Sequence, residues 1–187
     1  PKTLPELVTW AKANPGKLLC GTAGHGTGQH FTCEILARAA GIKLTHVPYR
    51  GAAPGMQDLL AGQVHMIFDN IPGSLAQVRA KKVRPIAVTS AKRTPVAPEV
   101  PTISETLVGF DVVSWTTLTG PAKLPPNVVS RLSELSKKAL ESDDLKAKFQ
   151  DLGATAWWQS PADTLAFRDA EEARLAPVIR KSGARVD

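Results

Sequence analysis

Lys17-Leu18-Leu19-Cys20-Gly21-Thr22-Ala23-Gly24-His25-Gly26-Thr27-Gly28 is a short apolar run that passes directly into a glycine-rich loop. The run has the length and bounds of a buried strand. Beyond it, Phe31, Ile35, Leu36 and Ala39 recur at helical spacing from Gly28 to Ala40, and Gly41 supplies a C-terminal stop. The loop's glycines let a backbone approach a ligand closely, and the helix it feeds begins with unsatisfied amide hydrogens and a partial positive charge. Such an end is suited to an anion. Thr27 is placed to be the N-cap, with a hydroxyl that serves either the helix or a ligand oxygen. An ordinary strand-to-helix turn has the same spacing, so spacing alone leaves both readings open.

Working outward, Thr3-Leu4-Pro5-Glu6 has the form of a capping box and starts a helix stopped by Pro15-Gly16. Downstream the strand-helix unit repeats. A strand from Leu44 to Val47 leads through Pro48-Tyr49-Arg50-Gly51 into a helix ending at Gly62. A strand from Val64 to Phe68 ends in Asp69-Asn70, with a helix around Leu75 to Val78 and a strand from Pro85 to Thr89 after it. Alternation at this spacing predicts parallel pairing with right-handed crossovers, an α/β sheet covered on both faces. Residues 90–101 turn to charge and proline and read as a surface excursion. Val112 to Leu118 reads as a long strand crossing between domains 1–112 and 113–187. After it come helices over Asn127 to Leu140 and Asp143 to Leu152, a strand over Ala154 to Trp158 and a helix from Pro161.

In an open α/β sheet, ligands bind beyond the carboxyl ends of the strands. Those ends carry Thr22, Gly24, His25, Gly26, Thr27, Gly28, Tyr49 and Asp69, which form the candidate ligand-binding set. Asp69 is suited to accept from an amine or hydroxyl, or else to cap a helix. A phosphate-binding P-loop is excluded because Gln29-His30 stands where Lys and Ser or Thr are required. A dinucleotide fingerprint is excluded because the next strand ends in Pro48-Tyr49 rather than an acid. No nucleophile elbow or paired carboxylates gather at a loop, so the reading is not an enzyme and assigns no cofactor. His25 and His30 with Cys33 lack a fourth metal ligand, and His46 reads as a packed strand histidine. Cys20 and Cys33 sit among apolar neighbours and read as packed thiols, a bridge between them being the alternative.

The 187 residues, 43% hydrophobic and 21% charged, suffice for one or two packed domains, and no apolar run approaches the roughly 20 residues of a bilayer span. A net charge of +6 favours anions. The basic residues are scattered, and no aromatic lies between the members of the tight groups Lys81-Lys82 with Arg84, Lys92-Arg93 and Lys137-Lys138, so a nucleic-acid surface is not expected.

The segments K-L-L-C-G-T-A-G-H-G-T-G-Q-H from Lys17, H-V-P-Y-R-G from His46, G-Q-V-H-M-I-F-D-N from Gly62, I-A-V-T-S-A-K-R from Ile86, V-P-T from Val100 and the closing K-S-G-A-R-V-D resemble the Bug, or TctC-like, solute-binding receptors of tripartite tricarboxylate transporters. The resemblance covers the whole chain. It implies a periplasmic-binding-protein-like, type II, two-lobed α/β fold, in which this chain supplies nearly all of the second lobe and the C-terminal part of the first. It implies a periplasmic receptor that closes over a small carboxylate, such as a dicarboxylate or tricarboxylate, an amino acid or an aromatic acid. The receptor's partners would be the membrane subunits of the transporter. In this family a carboxylate is commonly gripped between two glycine-containing loops, and Thr22 to Gly28 is similar to the second of them. His25 stands where relatives often have Asn, and both cysteines depart from the usual residues. The family's N-terminal strands are missing from this stretch, which leads to the expectation of self-association or exchange of elements between chains. A sensor lobe of a transcription regulator, or an enzyme of the same architecture, are the competing readings.

Overall fold

A computed structural model describes residues 1–182; residues 183–187, which hold the end of the K-S-G-A-R-V-D motif, lie outside the described residues. The described chain divides into two compact units, one holding Pro1–Ser114 and residues 177–182, the other Trp115–Ala176.

The first unit begins with helix α1 (Leu4–Ala13), whose N-cap Thr3 accepts from the Glu6 N–H. The reciprocal half of the expected capping box is displaced by one residue, since Glu6 accepts from the N–H of Lys2 rather than of Thr3. Strand β1 (Leu18–Thr22), helix α2 (Gly28–Ala40), strand β2 (Leu44–Pro48), helix α3 (Ala52–Leu60), strand β3 (Met66–Ile67) and helix α4 (Ile71–Arg79) follow in strict alternation. The sheet order is β2-β1-β3 with both pairings parallel, Leu18 opposite Leu44 and Cys20 opposite Met66. Parallel pairing brings the carboxyl ends of all three strands to one edge, where α2, α3 and α4 begin. Gly21 is required at the sheet's centre, because a Cβ there would lie 2.9 Å from Ile67 Cγ2.

Leu4, Leu36, Ile103 and Phe110 form one buried cluster, and Ala11, Leu18, Ala40 and Ile42 form a second beneath α1. The charged, proline-rich stretch therefore does more than cover the surface. The cluster residue Ile103 and nearby Val100 are almost wholly buried. A capping box between Thr102 and Glu105 closes the short 3₁₀ turn Ile103–Glu105, and Arg93 grips both Glu105 oxygens, holding that carboxyl down to about 2.

The expected strand Pro85 to Thr89 is reduced to a single bridge between Val88 and Thr102. Its backbone is engaged elsewhere: Val88 N–H donates to Pro101, Ile103 N–H donates to Val88, and Val112 N–H donates to Thr89. Val112 to Leu118 and Ala154 to Trp158 form no strand either. A strand exists through its ladder, and the single bond from the Val112 N–H to Thr89 does not extend into one.

The second unit contains α5 (Pro126–Glu141), α6 (Asp143–Asp151) and most of α7 (Pro161–Ser182). Neither α5 nor α6 has a buried residue. Leu118, Leu132, Leu135, Leu152, Trp157 and Leu165 are exposed, and Phe167 meets Trp115 and Trp157 edge-on.

The reading of Cys20 and Cys33 as packed thiols is corrected: they form a disulfide that joins β1 to α2. Helix α2 lies on β1 so that the two Cα atoms are 6.8 Å apart, a separation fixed by stacking and not written in the sequence. The bond closes a loop over a sequence separation of 13. Replacing both residues by Ala should lower stability by about 2–4 kcal/mol. Urea titrations of the oxidised, reduced and doubly substituted chains measure it, with reduced and substituted chains expected to coincide in the size of the loss.

Candidate functional site

The loop between β1 and α2 turns through two glycines with positive φ, Gly24 at +125° and Gly26 at +76°. These angles suit glycine because a Cβ is disfavoured there. Thr27 is the N-cap of α2, and its hydroxyl is engaged by the turn: it donates its one proton to the Gly24 carbonyl (2.8 Å) and accepts from the His30 N–H (3.3 Å). The hydroxyl therefore serves the helix. Gly28 opens the helix, with open space where a side chain would stand.

The backbone N–H groups of Gly24, His25, Gly26, Thr27, Gly28 and Gln29 donate to no protein acceptor among the described residues. Each of these residues retains solvent exposure. At the end of β1 that leads into this loop, Thr22, 2% exposed, has a buried Oγ1 without a hydrogen-bond partner. A hydroxyl left this way costs about 1–3 kcal/mol unless a water or ligand satisfies it. The Thr22 carbonyl is occupied by the Tyr49 N–H at 2.9 Å, which ties the β2–α3 turn to the end of β1.

Tyr49 is on this edge, yet its hydroxyl is turned away. It donates to Asp58 Oδ2 at 2.7 Å, and that bond raises its ionisation above the usual tyrosine range. The ring packs against Gly21 and Gly55, where a Cβ on either would lie 3.3 Å away. Tyr49 thus shapes the turn with its ring. Arg50 next to it is exposed and adds a cation to the same edge.

Asp69 follows β3 and is half-buried, which raises its carboxyl above the usual range, while the Asn70 N–H works in the opposite direction. The N-cap of α4 is Asn70 and not Asp69. Asp69 instead accepts from Gln29 Nε2 at 3.2 Å, and Gln29 Oε1 accepts from the Ala23 N–H at 2.8 Å. Gln29 is thus the residue that sequence reasoning missed. It links the first loop to the third, and its signal, a long amide in the first helical turn, matches many surface residues.

His25 is exposed, with its ring edge-on to His30 at 5.3 Å. His30 is buried, and burial, followed by the neighbouring His46 and His25, pushes its ionisation below the usual histidine range. Cys33, grouped with these histidines in the sequence, is committed to the disulfide. His46 Nε2 instead meets Glu34 Oε1 at 2.7 Å, beside His30.

The description "TctC: Tripartite tricarboxylate transporter family receptor" belongs to a family model that matches residues 1–184. The UPF0065 protein in the tcbD-tcbE intergenic region of Pseudomonas sp. strain P51 is 40% identical over 154 residues, 81% of this chain and 46% of that protein. Among solved structures, R. palustris Rpa4515 with adipate is 34% identical with a TM-score of 0.92, covering 98% of this chain and 62% of that one. MatC (Rpa3494) from Rhodopseudomonas palustris with bound malate is 32% identical with a TM-score of 0.84, covering 96% and 62%. The chain spans about half the length of the curated relatives it matches. These structural matches bear out the expected periplasmic-binding-protein fold, of which the chain is a part.

Because the Asp69 carboxyl is raised, the folded chain holds its proton more tightly than the unfolded chain, whose value is near 3.8. Its contribution to stability is therefore greatest in acid and is lost as pH rises through the folded value. Asp69→Asn, which keeps an oxygen to accept from Gln29, should melt higher than the parent near pH 7, with the two curves converging below about pH 4. Scanning calorimetry across that range reads the difference.

Proposed function

The chain belongs to the tripartite tricarboxylate transporter receptor family, and from that premise we propose that it is part of an extracytoplasmic receptor for a small dicarboxylate, delivering it to the membrane subunits of such a transporter. The observation that carries this reading is the run of unengaged N–H groups from Gly24 to Gln29, in the loop that follows the unpartnered Thr22 hydroxyl. A carboxylate oxygen needs several donors that converge without carrying bulky side chains, and a loop feeding a helix N-terminus provides them. Adipate and malate, named with two of the neighbours, are both dicarboxylates. The Cys20–Cys33 disulfide suits an oxidising compartment and supports a periplasmic location. Binding and release need only donors, with no nucleophile or general base, so the role is capture rather than turnover.

In this reading, one carboxylate rests on the loop amides, Thr22 donates from below, and the Gln29–Asp69 bridge keeps the first and third loops in register.

Gly26→Asp places a carboxylate among the donors, at a positive φ that Asp tolerates better than most residues. In the full-length receptor it should weaken dicarboxylate binding on the order of 100-fold or more by like-charge repulsion. Thr22→Val removes the hydroxyl while keeping its shape and should cost roughly 10-fold. Isothermal calorimetry with adipate and malate measures both, with circular dichroism checking the fold. Unchanged affinity in a folded Gly26→Asp variant overturns the assignment.

A further inference from the structure

We propose that His30, Glu34 and His46 form a binding site for a divalent transition-metal ion, with zinc the best-suited occupant and water completing its coordination. One ligand atom from each of the three lies within 4.8 Å of the others. His30 and Glu34 are four residues apart on α2 and so project from one face, and His46 comes from the adjacent strand β2. Ligands from a helix and a strand approach from different directions, as a compact coordination shell requires.

The second observation is independent of this spacing. The Nδ1 atoms of both His30 and His46 are buried without any hydrogen-bond partner, and His30 as a residue is only 4% exposed. A core histidine that merely packs has one ring nitrogen donating and the other accepting. Here two adjacent rings, 4.5 Å apart between centroids, each leave Nδ1 unused, while the Nε2 of His46 meets the Glu34 carboxylate. A metal ion that takes one nitrogen of a histidine depends on a partner, or on water, for the other, and the 2.7 Å contact of His46 Nε2 with Glu34 Oε1 shows how close the carboxylate already stands.

The scaffold also holds the cluster in place. Cys20 stands opposite His46 in the β1–β2 register and is bonded to Cys33, the residue before Glu34. The disulfide therefore ties the part of α2 that carries Glu34 to the strand beside His46. Two imidazoles and one carboxylate favour zinc, copper or nickel over calcium or magnesium, which take oxygen shells. Zinc donors at about 2.0–2.2 Å in a tetrahedral shell stand about 3.5 Å apart, so the most widely spaced of these atoms, within 4.8 Å, need to draw in by about 1 Å while Glu34 Oε1 and His46 Nε2, at 2.7 Å, move apart.

The test uses the chain itself with zinc chloride and cobalt chloride. After incubation and desalting, elemental analysis should find one zinc per chain, and cobalt should give visible absorption of a four- or five-coordinate site. His30→Gln/His46→Gln should lower zinc affinity on the order of 100-fold or more, because only one of the three protein ligands remains. Should that variant fail to fold, imidazole proton–nitrogen spectra of the parent chain decide: zinc should move the ring signals of His30 and His46 and leave those of His65 in place. No retained zinc in the parent, equal affinity in the folded double variant, or zinc shifts confined to His25 and His65 would each overturn the site.

Discussion

The central strand of a parallel sheet must hand its chain to a helix at a place where neither structure can satisfy the backbone between them. In this protein β1 is that strand, and the handover runs from Ala23 to Thr27. The strand ladder ends at Thr22 opposite Pro48. Helical bonding begins only when the Phe31 N–H reaches the Thr27 carbonyl. The N–H groups from Gly24 to Gln29 are left over by geometry, and glycine at positions 24 and 26, which the positive φ there favours, puts no side chain over them. Everything ascribed to the site follows from this gap.

The surroundings stabilise the gap without filling it. Thr27 folds the turn back on itself through Gly24 and His30, and the Tyr49 N–H holds the neighbouring turn to Thr22. Gln29 reaches sideways to Asp69, so the loops after β1 and β3 share one side chain. Below, the disulfide fastens α2 to β1. A preformed set of donors is expected to lose little conformational freedom when an anion arrives.

The two units differ in how completely they are packed. The first has two buried clusters joined through Leu7, Val8, Met66 and Leu107, which pack on both. In the second, no residue of α5 or α6 is fully buried, and leucines at positions 132 and 135 are exposed. Amphipathic helices of this kind gain most of their stability by covering an apolar face. The matched solved structures are longer than this chain, which covers 62% of them.

Local pattern alone determined the alternating elements from α1 to α4, the Thr27 cap and the parallel sheet with its three loops on one edge. Apolar periodicity, glycine stops and cap residues are properties of neighbours in the chain, and they can be read from the chain. Tertiary structure decided what depends on distance between elements. Val112 to Leu118 has every residue type of a strand and forms none among the described residues, because a ladder needs a second strand. Cys20 and Cys33 became a bridge, and the Tyr49 hydroxyl went to Asp58, because stacking set which atoms met. His30 left Cys33 for Glu34 and His46 for the same reason: a helix face and a strand face meet in space, and their residue numbers do not say where.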